Sequence, residues 1–413
     1  MLESFFDAPT KLAWTMTGPL KDHVRSFARH LVQLGYARGT GRAKLYVVRA
    51  LGIWLEESGL PVESLGEESV ASFLAWRRQQ GRLHRGNAPT ACHFLAHLRE
   101  RGAVPAASPV DPSPGEILED RYREFLEVER GLDPATFVGY RRWIRKFIGE
   151  RFGEDTPEIG RLAAEDVYGF LLRHAHAGSP GEAKLMVTAL RSFFRFLFAR
   201  GDIESDLAAS IPTVAHWRLA EVPRYLDDDE VERLLECCDL SSPTGRRDRA
   251  VLLLLARLGL RAGEIVSLRL EDLHWRQGEM TVRGKGQYHD RLPLPQEVGE
   301  AIVQYLSRDR PVCRSRRVFL RRRAPLRGFK GPSTVSTIVR RAIGRAGLDP
   351  SEKGAHLLRR TLATGMLGRG ASFAEIGEIL RHRSPNSTEI YAKVDIGGLR
   401  SLARPWPVSR GGR

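Results

Sequence analysis

Six side chains in the second half of the chain have the types needed to transfer a phosphoryl group without a metal ion: Arg261, Lys285, His356, Arg359, His382 and Tyr391. Arginines donate paired hydrogen bonds to phosphate oxygens, and histidines donate hydrogen bonds or move protons. A tyrosine is a covalent nucleophile when its phenol is stabilised as it ionises. The sequence shows no Asp/Glu cluster suited to Mg²⁺, so side-chain cations would meet the transition-state charge. The set predicts chemistry through a phosphotyrosine, with no metal and no cofactor.

The neighbouring residues predict where several of these side chains lie in the secondary structure. Arg261 follows a glycine turn in GLRAGE, three residues before Glu264. Lys285 lies between two glycines, at the tip of a predicted hairpin. His356 and Arg359 are three residues apart, so one helix face can present both to one ligand.

The composition predicts a nucleic-acid partner. Among 413 residues, 65 Lys and Arg against 50 Asp and Glu give a formal charge of +15, and a chain this basic is expected to meet a polyanion. A hydrophobic content of 42% excludes a disordered protein. The four cysteines are scattered, which excludes a disulfide scaffold and zinc-finger spacing. The N-terminus shows no signal peptide, and the longest apolar run, 251–260, is too short to cross a membrane. We therefore expect a cytoplasmic protein with no membrane partner.

An internal repeat organises the first half of the chain. Segments 27–104 and 125–203 match in three blocks, and each shows apolar residues at helical spacing, which predicts about four helices per copy. A proline-rich linker at 106–116 separates the copies. In the second half, short alternating runs at 270–295 predict a small antiparallel sheet between groups of helices.

The ordered set of residues resembles the active site of the tyrosine recombinase (phage integrase) family. GLRAGE is similar to that family's Gly-Leu-Arg-x-x-Glu, GKG before DRLPLP to its catalytic-lysine hairpin, and HLLRRTLAT to its His-x-Leu-Arg box. Each pattern alone is common, whereas six residue types in this order and spacing are specific. The resemblance covers roughly residues 224–394, and 114–206 is similar to the family's helical core-binding domain. The C-terminal RHRSP and RPWP segments resemble integrases of bacterial mobile elements.

The resemblance implies how the cut is made. Tyr391 would attack a scissile DNA phosphate and form a 3′-phosphotyrosyl link. Arg261 and Arg359 would stabilise the pentacoordinate phosphorus. Lys285 would protonate the departing 5′-hydroxyl, and a free 5′-hydroxyl of another strand would then attack the link. The bond energy stays in the phosphotyrosine, so no ATP is implied.

The remaining residues of the set have supporting roles by the same resemblance. His356 would assist proton transfer at the nucleophile, and His382 would hydrogen-bond a phosphate oxygen. Glu264 would act indirectly, by orienting Arg261 or a neighbouring residue. Two arginines depart from the family pattern. Arg381 stands where glycine is usual and Arg360 where a second histidine is common, and each is expected either to tighten phosphate contact or to be solvated.

The implied fold is mainly α with a small antiparallel β-sheet (α+β) in the catalytic domain, and two all-helical N-terminal modules clamp DNA against that domain. The predicted division is an N-terminal helical module (1–105), a linker (106–115), a core-binding domain (116–206), a linker (207–224), a catalytic domain (225–405) and a tail (406–413).

Further DNA contacts are expected outside the catalytic set. Candidates in the core-binding domain are Arg141, Lys184 and Arg191. The first module is expected to be a degenerate copy of that domain, used as an extra DNA arm or for protein contacts. The basic run 314–327 is either a solvated face or a contact to backbone phosphates.

Together these features predict a site-specific DNA recombinase that integrates or transposes a mobile element. Expected partners are double-stranded DNA, further copies of the chain as a dimer to tetramer on DNA, and sister recombinases or accessory DNA-bending proteins. The segment after Tyr391 is expected to dock on a neighbouring protomer or to fold back on its own domain. Two alternatives stay open: a type IB topoisomerase-like nicking-closing enzyme, and a catalytically silent DNA-binding regulator.

Overall fold

The structure is a computed structural model that describes residues 4–6, 18–107, 112–153, 156–175, 178–213, 224–284 and 289–394. These residues form two compact units. One unit combines the N-terminal module with the residues from 224 onward, and the other contains residues 112–213. Helices dominate both units, and the first also holds a three-stranded antiparallel sheet. The predicted class, mainly α with a small antiparallel sheet, is confirmed.

The described part of the N-terminal module contains four α-helices: α1 (Lys21–Gln33), α2 (Arg38–Glu57), α3 (Glu67–Gln79) and α4 (Asn87–Glu100). Helix α1 buries the residues that recur on one helical face, Val24, Phe27, Ala28 and Leu31. The Phe27 ring meets the Phe94 ring of α4 edge-on, with 5.0 Å between the ring centroids. Each buried side chain of this size stabilises the module by roughly 1.5–3 kcal/mol.

The unit formed by residues 112–213 repeats this plan with α5 (Pro114–Glu124), α6 (Pro134–Phe152), α7 (Ala164–His174) and α8 (Pro180–Arg200). Three of these helices are capped at their N-termini by a side-chain oxygen that accepts a backbone N–H of the first turn. The capping residues are Ser113, Asp133 and Ser179. Proline follows each of these caps, where its missing N–H costs nothing. In the core, the Tyr122 hydroxyl donates to the Ser192 hydroxyl at 2.9 Å.

The residues from 224 onward form seven α-helices in their described part, and the others surround the apolar α10. The seven are α9 (Asp228–Glu236), α10 (Pro243–Leu258), α11 (Ala262–Ser267), α12 (Gln296–Arg308), α13 (Pro332–Arg345), α14 (Ala355–Gly368) and α15 (Phe373–Ile379). The run of leucines in α10 is buried on all sides, as a core helix requires. The Asp227 carboxylate caps α9 by accepting the Glu230 N–H at 2.7 Å.

The sheet has the order β1 (Leu273–His274), β2 (Glu279–Arg283) and β3 (His289–Pro293), with both pairs antiparallel. Met280 and Val282 of β2 are buried, and the residues between and around them are half-buried, which is the alternation of a one-sided sheet. Lys285 follows β2 and lies outside the described residues. Its position at the hairpin tip therefore stays a prediction, and so does the placement of the segment after residue 394.

The basic run 314–327 forms structural contacts that the sequence did not predict. Arg317 donates to the Ser267 carbonyl, and Arg316 pairs with Glu271 at 3.3 Å. The Leu326 N–H donates to the Leu34 carbonyl of the N-terminal module at 2.8 Å. The run therefore holds its own loop and joins the module to the residues from 224 onward.

Within the described part of the chain, no helix is both long and apolar enough to span a bilayer. No group of three His, Cys, Asp or Glu side chains there is placed to hold a metal ion.

Candidate active site

Arg261 occupies the turn between α10 and α11. Gly259 ends α10 with φ of +57°, a left-handed conformation that glycine adopts at little cost. A Cβ at this position would also approach the Leu380 side chain to 2.6 Å. The turn places Arg261 just before α11, with 44% of its side chain exposed. An exposed guanidinium in this position can bind an anion that arrives from solvent.

Glu264 fixes the direction of Arg261. Its carboxylate accepts the Arg261 backbone N–H at 2.8 Å and the Arg261 Nη1 at 2.8 Å. Only 4% of the Glu264 side chain is exposed, so solvent does not compete for these bonds. The guanidinium is therefore oriented before any ligand binds.

Arg359 lies on α14 with only 2% of its surface exposed. Its guanidinium donates to the backbone carbonyls of Gly259 and Leu380, which joins the turn after α10 to the turn after α15. Burial, followed by the charges of Arg261 and Arg381, lowers the pKa of Arg359 to about 10. The side chain is thus still a cation at neutral pH.

His356 begins the same helix, three residues before Arg359. His356 is exposed at its surface, and partial desolvation, followed by the charges of Arg360 and Arg359, lowers its pKa. The neutral imidazole is favoured, and this is the form that can accept a proton. The neighbouring Arg360 pairs with both carboxylate oxygens of Glu352 at 2.7 Å.

Arg381 is the one residue other than glycine with positive φ in the described part of the chain, at +55°. Its guanidinium donates to Glu264 Oε2 at 2.9 Å, and only 8% of its side chain is exposed. Its backbone carbonyl accepts a hydrogen bond from Arg261 Nη2 at 3.1 Å. The expectation of a solvated side chain is wrong for Arg381, because the buried Glu264 carboxylate draws the guanidinium inward.

Replacing Arg381 with glycine is expected to slow formation of a covalent protein–DNA adduct about tenfold and to leave the melting temperature little changed. Glycine relieves the left-handed strain by about 1 kcal/mol, which offsets part of the roughly 1–3 kcal/mol lost when Glu264 loses a partner. Glu264 then holds Arg261 less firmly. The adduct rate and the thermal melt test this, with Arg381→Lys as the charge-conserving control. A wild-type rate in Arg381→Gly would contradict the argument.

The turn at Arg381 also places His382. The His382 backbone N–H donates to the Gly377 carbonyl at 2.8 Å, and the ring Nδ1 lies 2.7 Å from the Thr388 hydroxyl. Burial, followed by the charges of Arg359 and Arg261, lowers the pKa of His382 to about 4. The ring is therefore neutral in the free protein at neutral pH.

The free protein is expected to lose stability as the pH falls from about 6.5 toward 4. In that window the unfolded state binds a proton at His382 that the folded state excludes, so stability rises with pH and is lost as pH falls. His382→Asn removes this titration and keeps a polar side chain near Thr388. Its melting temperature should therefore drop less between about pH 7.5 and about pH 4.5 than the wild-type value. Equal drops would show that His382 does not titrate in this way.

Tyr391 lies in a short 3₁₀ helix, Glu389–Val394. The turn-forming residues of the preceding SPNS segment favour this tighter winding, and the Tyr391 N–H donates to the Thr388 carbonyl at 3.0 Å. The ring is 2% exposed in a cluster with Ala363, Ile376 and Leu380. Burial raises the pKa of Tyr391, and the charges of Arg359 and then Arg360 act in the opposite direction.

The described members of the predicted set lie in one neighbourhood. Arg359 donates to the carbonyls of Gly259 and Leu380, and Arg261 donates to the Arg381 carbonyl, next to His382. Tyr391 packs in a cluster with Leu380, and His356 lies on the same helix as Arg359. Lys285 is the sixth and lies outside the described residues. The sequence did not predict that Arg381 would bind the Glu264 carboxylate. The one sign of an unusual role was that arginine stands where the family usually has glycine.

The DNA-contact candidates of residues 112–213 have different surroundings. Arg141 pairs with Glu119 at 2.7 Å, and Arg191 donates to the Ile211 carbonyl at 2.8 Å. Lys184 is exposed on α8. Their contact with DNA stays a prediction.

Comparison with known proteins finds two family matches. Residues 224–396 match the phage integrase family, and residues 120–201 match the phage integrase N-terminal SAM-like domain. The chain is 42% identical to the putative integrase/recombinase y4rA of Sinorhizobium fredii, over 98% of this chain and 99% of that protein. It is 31% identical to the tyrosine recombinase XerD of Listeria monocytogenes, over 68% of this chain and 94% of that protein.

A solved structure shares the fold. The XerH site-specific recombinase bound to palindromic difH substrate, in a post-cleavage complex, aligns with a TM-score of 0.54 and 19% identity over 83% of this chain and 98% of that chain. At this identity the likeness concerns the fold, whereas the relatives above share sequence over most of their length. The chain belongs to the tyrosine recombinase (phage integrase) family of site-specific DNA recombinases.

Proposed function

We propose that this recombinase cuts and rejoins double-stranded DNA through a 3′-phosphotyrosyl intermediate, in the cytoplasm, and serves the integration or transposition of a mobile element. One observation carries the proposal. Tyr391 packs in one cluster with Leu380, whose carbonyl accepts a hydrogen bond from Arg359, and Arg261 donates to the carbonyl of the next residue, Arg381. A phenol close to two guanidiniums suits attack on a phosphodiester.

The proposed step exchanges one phosphoester for another. The Tyr391 oxygen bonds to phosphorus as its proton passes toward His356, whose lowered pKa favours the accepting form. The bond from phosphorus to the 5′-oxygen breaks, and Lys285 donates the proton to that oxygen. Arg261 and Arg359 hold the non-bridging oxygens, and His382 adds a hydrogen bond. A 5′-hydroxyl of another strand then reverses the step.

Because Tyr391 is buried, the proposed attack requires a movement of its segment. A phenol with 2% of its surface exposed cannot reach a phosphate in solution. The 3₁₀ segment must therefore move when DNA binds, so that the hydroxyl leaves its apolar cluster. This makes cutting dependent on DNA binding, because the phenolate is stabilised only beside the phosphate-bound arginines.

The division of labour that we propose assigns cutting to residues 225–405 and DNA holding to residues 116–206, where Arg141, Lys184 and Arg191 are candidate contacts. The formal charge of +15 supports duplex DNA as the substrate. The difH-bound XerH structure supports the same class of substrate. Pairing of two DNA sites by a dimer to tetramer follows from strand exchange, and the name of the y4rA relative, integrase/recombinase, supports the mobile-element role.

A nicked duplex tests the proposal. The DNA that flanks the gene supplies candidate sites, and a nick beside the cut lets the short product diffuse away, so that the covalent protein–DNA adduct accumulates. We expect an adduct that survives denaturation, and joint molecules when two sites are present. Relaxation of supercoils without joint molecules would indicate a type IB topoisomerase-like enzyme instead. Tight binding with no adduct would indicate a silent regulator.

A further inference from the structure

Thr388 is a buried polar residue to which the proposed reaction assigns no role. Only 2% of its surface is exposed, and its hydroxyl lies 2.7 Å from Nδ1 of His382, the distance of a well-formed hydrogen bond. Within the described residues, this ring nitrogen is the one side-chain partner of the hydroxyl. A Cβ at Gly377 would approach the same hydroxyl to 3.2 Å, so glycine at that position leaves space for the bond.

The direction of this hydrogen bond follows from the partners that burial leaves to each group. If Nδ1–H of His382 donated to Thr388, the hydroxyl proton would need another acceptor, and no side chain in the described ranges supplies one. A buried donor without an acceptor is strongly disfavoured. If the hydroxyl donates to Nδ1 instead, its proton and the Nδ1 lone pair are both satisfied. The second arrangement therefore has the lower free energy.

This direction determines which nitrogen of His382 carries the ring proton. Burial, followed by the charges of Arg359 and Arg261, lowers the pKa of His382 to about 4, so the ring has a single N–H at neutral pH. When Nδ1 accepts a hydrogen bond, that N–H is at Nε2. Nε2 has no hydrogen-bond partner in the part of the chain that the structure describes, and the side chain is half-buried. The Nε2–H group is thus the donor that His382 can offer to a ligand.

The turn that contains His382 is part of the candidate active site. Arg359 donates to the carbonyl of Leu380, and Arg261 donates to the carbonyl of Arg381. The two arginines that we propose to hold the phosphate therefore contact the two residues immediately before His382. A hydrogen-bond donor on this turn has the right position to assist them at the same phosphate.

We propose that Thr388 is a positioning residue, whose hydroxyl donates to Nδ1 of His382 and so keeps the neutral ring as a donor, through Nε2, to the scissile phosphate. This rests on the proposed function, since the phosphate is the ligand that Nε2 would bind. Thr388 precedes the Glu389–Val394 segment. The movement that exposes Tyr391 can therefore begin after Thr388 and leave its hydroxyl on the ring.

Substitutions of similar shape test the proposal in the full-length protein. Thr388→Val removes the hydroxyl and keeps the branched side chain, whereas Thr388→Ser keeps the hydroxyl. Thr364→Val is the matched control, because the Thr364 hydroxyl is also buried but has no hydrogen-bond partner among the residues described. The rate of adduct formation on the nicked duplex is measured for each variant, alone and combined with His382→Ala.

The position of the ring proton is measured separately, in the free protein. NMR of protein that carries isotopically labelled nitrogen in its histidines distinguishes a protonated ring nitrogen from an unprotonated one. The signals of His382 are those that disappear in His382→Ala. In the wild type, Nε2 should carry the proton and Nδ1 should carry none. Thr388→Val should show both tautomers, because nothing then fixes the proton to one nitrogen.

Thr388→Val is expected to slow adduct formation about tenfold, as is typical when the partner that orients a functional histidine is lost. Thr388→Ser and Thr364→Val should stay near the wild-type rate. In the His382→Ala background, Thr388→Val should cause no further loss, because the hydroxyl acts only through the ring. An equal loss in that background would overturn the proposal, since Thr388 would then act in folding.

A proton on Nδ1 of His382 in the wild type would also overturn the proposal, and this result does not depend on whether Thr388→Val folds. If the wild type forms the adduct and Thr388→Val reacts at the same rate, the inference fails and the proposed function stands. If the wild type forms no adduct while only Thr388→Val shows mixed tautomers, the proposed function fails. The control of the ring proton by Thr388 then stands without it.

Discussion

A Tyr391→Phe protein is expected to form no covalent adduct with a nicked duplex, a loss of at least about a thousandfold, because the nucleophilic oxygen is gone. The phenylalanine ring keeps the apolar contacts of Tyr391 with Ala363, Ile376 and Leu380. The fold and DNA affinity should therefore be retained. The adduct is measured on a denaturing gel, and binding is measured in parallel by anisotropy.

Tyr225→Phe is the matched control, since Tyr225 is exposed in the same unit. It should form the adduct at the wild-type rate. An adduct that persists in Tyr391→Phe would assign the nucleophile to another residue and overturn the proposed mechanism. A lost adduct together with lost DNA binding would show that the phenol acts in folding or binding, and would equally remove the evidence for a nucleophile.

Arg359→Lys is expected to slow adduct formation by about two to three orders of magnitude, because the pre-oriented guanidinium at the phosphate is lost. The charge is kept, but an ammonium cannot donate to the Gly259 and Leu380 carbonyls in the fork geometry of a guanidinium. An unpaired buried carbonyl costs roughly 1–3 kcal/mol, so the melting temperature should also fall.

The matched control is Arg341→Lys, an exposed arginine of α13. It should keep both the adduct rate and the melting temperature. The stability loss in Arg359→Lys is separated from the catalytic loss by assaying well below the melting temperature of the variant. A wild-type adduct rate under those conditions would show that Arg359 contacts no phosphate in the transition state.

Local signals were sufficient for most of the helices. The aspartate before α9 and the leucine run of α10 each act over a few residues, and the structure has helices at both positions. The alternation at 270–295 corresponds to three antiparallel strands.

Local signals were insufficient to predict the contacts within the candidate site. The residue types and order of the set were visible in the chain, and so was the departure from glycine at Arg381. That Arg381 turns inward depends on Glu264, which is far away in sequence and near only after folding. In the same way, the bond from Arg191 to the Ile211 carbonyl joins residues twenty apart and follows from no local pattern, while its contact with DNA stays a prediction.

The sequence by itself determined the family, the helical periodicity and the chemistry that the set can perform, because these depend on residue type and local spacing. Only the tertiary structure decided which charges share a buried carboxylate, that Tyr391 is covered in the free protein, and that the N-terminal module packs on the loop at Leu326. These depend on contacts between distant segments, whose energies are set by burial and by competing partners that no local pattern encodes.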